Sequence, residues 1–303
     1  MSNRTLRGLL LAGCTGLLVA GAAVTANSAD AIPDFMGNST GWNSAGGMEA
    51  MPGPAPVVQD PKIKYTANNT GRQSDGTYEQ PTWRYADLSN PNLTEFAKEG
   101  LRKANKMVDE GFSMYNRTSR CWQPGVPVLN LSPGRTYFIQ RPDQVKIIWQ
   151  RDQIVRTVRL NQQHSQNPKP SWNGESVGHY EGDTLVVDTI GINGSTFVDL
   201  YRTPHSDKLH VVERFRMIEG GKKLEVEMTI DDPMAFKAPW KAKKVWERAT
   251  AVPQGGDVTG TYQEEIRCMD GEMVNPFNAA YADKLEPLQT DKNGAEQKLL
   301  SGG

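Results

Sequence analysis

The chain has 303 residues, a formal net charge of -1 and 37% hydrophobic residues. That length holds one or two ordinary domains. A near-neutral chain lacks the basic face that nucleic acid requires. It also lacks the polybasic clusters that hold a protein on an anionic membrane surface.

Residues 1–31 read as a secretory signal. Arg4 and Arg7 form the charged start, Leu9 to Val24 is apolar and small, and Ala29-Asp30-Ala31 fits the small-x-small cleavage rule. Ile32 is then the first mature residue, and the mature net charge becomes about -2 once Arg4, Arg7 and Asp30 are gone. Leu11-Ala12-Gly13-Cys14 resembles a lipoprotein box and is the alternative processing site, with Cys14 lipidated. Cutting at Cys14 would leave a very short apolar region before the cut and a long one after it, and an uncleaved membrane anchor is the third reading. With the ordinary signal removed, no membrane span is expected in the mature chain. The expected location is periplasmic or secreted. Cys121 and Cys268 remain, and two cysteines in an exported protein suggest one disulfide.

Residues 32–80 are dominated by Gly, Ser, Asn and Pro, and read as a flexible tether. Residues 92–110 carry the one convincing helix. Leu93, Phe96, Ala97, Leu101, Ala104, Met107 and Val108 recur at helical spacing on one stripe. Asn90 or Asn92 can cap its start, and Gly111 can stop it.

Strand patterns then follow almost without a break. They cover Thr136–Gln140, Val145–Gln150, Ile154–Leu160, Ser176–Tyr180, Thr184–Ile190, Leu209–Ile218, Leu224–Asp231, Lys243–Thr250 and Gly260–Cys268. Tight turns at Glu181-Gly182-Asp183 and Glu219-Gly220-Gly221 mark antiparallel hairpins. Strands with short links and no intervening helices exclude a parallel α/β plan. The expected fold is mainly β: an antiparallel up-and-down barrel or a strongly curved sheet, with one N-terminal amphipathic helix. A two-sheet sandwich is the structural alternative. The barrel domain is expected over residues 81–282, and a mobile tail over 283–303.

Polar residues on an apolar strand face stand out. Glu213 shares a face with Leu209, Val211, Phe215 and Met217, and Asp188 shares one with Val186, Ile190 and Ile192. Arg156 falls with Ile154 and Val158. A buried carboxylate needs a partner or a raised pKa. One reading is therefore structural, with Glu213 or Asp188 paired to Arg156. The other is a polar cluster in a ligand cavity.

His205 lies in the loop Asp199-Leu-Tyr-Arg-Thr-Pro-His-Ser-Asp, close in sequence to Asp199, Tyr201 and Arg202. An imidazole with a carboxylate and an arginine nearby is a usable acid–base set; a turn-capping histidine is the structural alternative. His179 and His210 read as structural strand residues, and His164 as solvated. No histidine pair has the i, i+4 spacing of a helical zinc site, so no metal is expected. Neither a Gly-x-Ser-x-Gly elbow nor a Gly-rich phosphate loop occurs, so no nucleotide or other cofactor is expected.

The run Pro170-Ser-Trp-Asn-Gly-Glu-Ser-Val-Gly-His-Tyr-Glu-Gly-Asp-Thr-Leu-Val-Val-Asp-Thr resembles a segment shared by a group of exported, mostly uncharacterised bacterial proteins. Pro204-His205-Ser206, Glu213-Arg214 and Thr229-Ile230-Asp231-Asp232-Pro233 are similar to later parts of that pattern. The resemblance covers roughly residues 120–250. It implies a secreted fold similar to the calycin barrels, and no activity. It directs attention to Trp172, Ser176, Asp183, Asp188, His205 and Glu213.

The expectation is an exported, cofactor-independent enzyme doing acid–base chemistry on a small organic molecule, as a lyase, hydratase, isomerase or hydrolase. His205 is the expected acid or base. Glu213 or Asp188 supplies the second carboxyl, and Arg202 or Arg156 holds an anionic or carbonyl oxygen. Arg156, Trp172 and Tyr201 are the expected ligand contacts. A non-catalytic carrier of an apolar ligand and a structural envelope protein are the alternatives.

Overall fold

The structure, a computed structural model, describes residues 32–36, 41–44, 47–63, 84–109, 123–132, 134–150 and 153–249. Every described residue belongs to one unit, Ile32–Gly303. All three cysteines lie outside the described residues, so the expected disulfide falls there too, as do the expected strand Gly260–Cys268 and the tail 283–303.

The alternating segments form the strands. After two short strands, β1 (Trp42–Ser44) and β2 (Glu49–Ala50), and one helix, α1 (Glu95–Asp109), come β3 (Arg135–Gln140), β4 (Gln144–Trp149) and β5 (Ile154–Leu160). Then follow β6 (Glu175–Glu181), β7 (Thr184–Ile190), β8 (His210–Ile218), β9 (Lys223–Asp231) and β10 (Trp240–Arg248). Strands pair in the order β1-β3-β4-β5-β6-β7-β8-β9-β10, and β1 pairs again with β10, so nine strands close a barrel. Strand β2 adds a short pairing to β10. Closure leaves those nine strands without a free edge.

One pairing departs from an up-and-down plan. β5 and β6 run parallel, Val158 opposite Ser176 and Leu160 opposite Gly178. The connection 161–174 carries the chain back along the barrel before β6 starts, and the Asn161 amide donates to the Gly178 carbonyl at 2.7 Å. Every other pair in the ring is antiparallel.

The described part of 32–80 is not a tether. Phe35 and Trp42 are buried in the core, and Trp42 Nε1 donates to the Phe35 carbonyl at 3.0 Å. The Phe35 amide donates to Gln140 Oε1 at 2.8 Å. β1 supplies the seam between β3 and β10. Gly-rich composition hid a segment whose two aromatics each bury enough surface to order it, roughly 1.5–3 kcal/mol apiece.

Inward side chains fill the barrel. Phe35, Phe138, Phe215 and Trp246 form a chain of ring contacts with centroids 5.4, 5.6 and 6.2 Å apart. Trp149 and Trp240 are also buried.

α1 buries Ala97, Leu101 and Ala104, the face its apolar stripe marked. Thr94, not Asn90 or Asn92, caps it: the Ala97 amide donates to Thr94 Oγ1 at 3.3 Å. Asn92 instead stitches the helix start to the β9–β10 connection, donating to the Ala238 carbonyl at 3.0 Å and accepting from the Ala238 amide at 3.0 Å. Gly100 lets the helix lie against the 191–209 loop. A Cβ there would sit 2.5 Å from Pro204 Cγ. Among the described residues no helix is long and apolar enough to cross a membrane.

Candidate functional site

Three polar networks contain Arg156, Ser176, Asp188, Tyr201, Arg202, His205 and Glu213 of the residues singled out in the sequence, and they differ most in access to solvent. Asp183 stands apart from them and accepts from Thr184 Oγ1 at 2.9 Å.

The first is inside the barrel. β5 turns Ile154, Arg156, Val158 and Leu160 inward, and β8 turns Val211, Glu213 and Phe215 inward. Arg156 Nη2 donates to Glu213 Oε2 at 2.5 Å and to Thr189 Oγ1 at 2.6 Å, and Arg156 Nε donates to Ser176 Oγ at 2.9 Å. Asn130, in a 3-10 turn over Val128–Leu131, donates to Glu213 Oε1 at 2.6 Å. The arginine and glutamate side chains are 2% and 0% exposed. The barrel therefore pairs Glu213 with Arg156, as the structural reading of their shared inward face expects. Charge is balanced, and both carboxylate oxygens are occupied.

The second network is the Thr-Pro-His-Ser loop. His205 is fully buried. Its Nδ1 lies 2.8 Å from the Ser206 carbonyl, which can only accept, so Nδ1 carries the proton. Its Nε2, in the neutral ring, accepts from Thr196 Oγ1 at 2.6 Å. Asp199 does not orient this imidazole. It accepts from the amides of Tyr201 and Thr203 and from Thr203 Oγ1 at 2.6 Å. Burial pushes the Asp199 carboxyl up despite those bonds. Arg202 sits in the left-handed region, φ 68°, and donates to the Arg84 carbonyl at 3.1 Å; burial lowers its pKa to about 10. Tyr201 stacks under the Arg84 guanidinium, 5.5 Å from its ring centroid. Asp232 fastens the loop to the barrel, accepting from the Ser206 hydroxyl at 2.9 Å and the Ser206 amide at 2.5 Å. The expected set of His205 with Glu213 or Asp188 is thus divided among separate networks, and His205 and Glu213 are both sealed from solvent.

The third network is outside. Asp188 does share a face with Val186 and Ile190, but that face is the outer one, because Leu185 and Val187 take the core. Asp188 Oδ1 lies 2.9 Å from His164 Nε2 and 2.9 Å from His210 Nε2. A carboxylate accepts, so both imidazoles present Nε2–H to one oxygen. His164 Nδ1 is 3.1 Å from Glu175 Oε1, and Ser165 donates to Glu175 through its amide and hydroxyl at 2.7 and 2.8 Å. Arg159 closes the row, 3.1 Å from Glu175 Oε1. The His210 and Asp188 side chains are 41% and 40% exposed.

Burial pushes Asp188 up, but the hydrogen bonds from His210 and His164 outweigh it and hold the carboxyl below its ordinary value. The same bond raises His210 above the usual imidazole range, against burial. Nδ1 of His210 has no hydrogen-bond partner among the described residues. A carboxylate that fixes the tautomer and leaves the other nitrogen open is the orienting half of an acid–base device.

His164, His210 and Glu175 were not chosen as catalytic candidates in the sequence. For Glu175 and His210 the usable signal was a common outer face with Asp188 across β6, β7 and β8, which requires knowing the register; His164 lies in the β5–β6 connection and gave none. Trp172 is half-buried in the β5–β6 connection, beside Asn173, which donates to Gln123 Oε1 at 2.5 Å. A shallow groove elsewhere on the outer face is lined by Thr184, Arg214, Arg216, Glu225 and Glu227, of which Arg216 and Glu225 pair at 3.3 Å. Among the described residues no three His, Cys, Asp or Glu side chains are arranged to hold a metal ion. Comparison with family models, with curated proteins and with solved structures finds no match.

Proposed function

We propose that this chain is an exported β-barrel enzyme of the acid–base type, acting on a small organic molecule at the outer-face row, with His210 as the proton-transferring group. The observation that supports the reading is the pair of imidazoles bonded to one oxygen of Asp188 beside solvent. His210 takes or delivers a proton at Nδ1. Asp188 holds the ring in one tautomer and offsets the positive charge that forms on it. His164 fixes Asp188 from the other side, so the carboxylate keeps its direction while His210 changes charge. Elimination, hydration, isomerisation and hydrolysis all need this proton step. His205 and Glu213 hold the barrel and its loop together.

p-Nitrophenyl acetate, whose cleavage an open imidazole accelerates, serves as the probe. The wild-type protein is expected to hydrolyse it faster than His210→Gln by about 10²-fold or more, with Asp188→Asn between the two. Equal rates for all three proteins would remove His210 from the chemistry.

A further inference from the structure

We infer that the buried Arg156–Glu213–Asn130 network is a built binding site for one neutral hydroxyl-type oxygen, seated between Arg156 Nη1 and Asn130 Oδ1. Those two atoms are buried and have no hydrogen-bond partner among the described residues. Their residues are 3% and 1% exposed, so neither is a surface group that bulk water satisfies. Buried donors and acceptors are rarely left unmade.

The orientation of the amide is fixed by its neighbour. Asn130 Nδ2 donates to Glu213 Oε1 at 2.6 Å, and a flipped amide would set two acceptors against each other. The open atom is therefore the acceptor. On the arginine, Nε and Nη2 are taken by Ser176, Thr189 and Glu213, and the open atom is a donor. Both residues grip the same carboxylate, one at each oxygen, so the open donor and the open acceptor belong to one network.

The chemistry of the guest follows from these two atoms. Glu213 already neutralises Arg156, so a second anion would be repelled and a cation would find no free carboxylate. A group that accepts one hydrogen bond and donates another is a hydroxyl. Ile147 lies opposite Arg156 on β4, and Val187 and Met228 flank Glu213 on β7 and β9; all three are buried. The oxygen belongs either to a resident water or to the single hydroxyl of an otherwise apolar molecule.

An atomic-resolution crystal structure of the mature wild-type protein, with mass spectrometry of a denatured extract of the same batch, tests this. The expected result is one oxygen at about 2.6–3.2 Å from both Arg156 Nη1 and Asn130 Oδ1. An isolated oxygen with nothing in the extract identifies the water. Density continuing into carbon, with an alcohol in the extract, identifies the ligand. The inference is overturned if Asn130 Oδ1 and Arg156 Nη1 turn onto protein groups, if no oxygen lies between them, or if an anion does. Asn130→Leu is expected to lose the oxygen. The wild-type map decides the matter even where that variant fails to fold.

Discussion

Glu213→Gln is the most informative single change. It keeps the shape of the side chain but removes the charge that faces Arg156. At 2.5 Å and an effective dielectric near 20, the gross attraction between the two ions is roughly 6–7 kcal/mol. Much of that only compensates for drawing both ions out of water. The net penalty of the variant is the part left when Arg156 stays buried without its counter-charge, about 3–5 kcal/mol. Glutamine can still accept from Arg156, which favours the lower end. For a domain of this size each kcal/mol shifts the melting temperature by about 2–4 °C. Urea denaturation with a common slope measures the loss. The double variant Arg156→Met/Glu213→Leu is expected to recover most of it, because the desolvation cost disappears with the charges. A loss below about 1 kcal/mol in Glu213→Gln, or no recovery in the double variant, would refute the reasoning that these are compensating buried ions.

Three further outcomes follow from other parts of the barrel. His210 has its pKa raised in the folded chain by Asp188, so its stabilising contribution is complete below the unfolded value, about 6.5, and is lost as pH rises through the folded one. NMR titration of His210 is expected to move down in pH in Asp188→Asn; an unchanged curve would contradict the pairing. Lys244 is buried on the inner side of β10, and burial lowers its pKa to about 8. Below that pH the folded state bears the cost of the charge, so stability rises between about pH 8 and 10.5, and Lys244→Met is expected to gain roughly 1–3 kcal/mol at pH 7 and nothing near pH 10.5 in urea titrations. Gly100→Ala drives a methyl to within 2.5 Å of Pro204 Cγ, and a loss of about 1–3 kcal/mol is expected in the same assay, despite the better helix propensity of alanine.

Much of the barrel could be read from alternation alone. Leu224, Val226, Met228 and Ile230 all face the core, and the expected bounds of β5 and β7 match the observed ones. β1 and β2 escaped because three and two residues give no period to detect, and Gly41, Gly46 and Gly47 stand close beside them in the sequence. The parallel β5–β6 pairing escaped because a loop's length does not say which way it returns. Asp188 shows the limit of face arguments. Alternation groups it with Val186 and Ile190, but apolar residues on both sides of β7 leave undecided which side is the core. Glu213 carries no such ambiguity, since Arg214 and Arg216 mark the opposite face of its strand as wet. His164 sits in a polar loop, and only the fold brings it to Asp188, 24 positions away in the chain.

β1 also sets the order of events when the chain is made. Its Trp42 pairs with both Thr136 of β3 and Arg248 of β10. The two sides of that seam come from opposite ends of the barrel sequence. While the C-terminal strands are still being synthesised, β3 through β9 can form a sheet, but it stays an open ribbon with unpaired edges. The first strand to emerge must wait for the last. A nascent chain of this type therefore passes through a long interval in which its aromatic interior is uncovered, and an exported version would benefit from a holding factor until Arg248 has cleared the machinery that threads it.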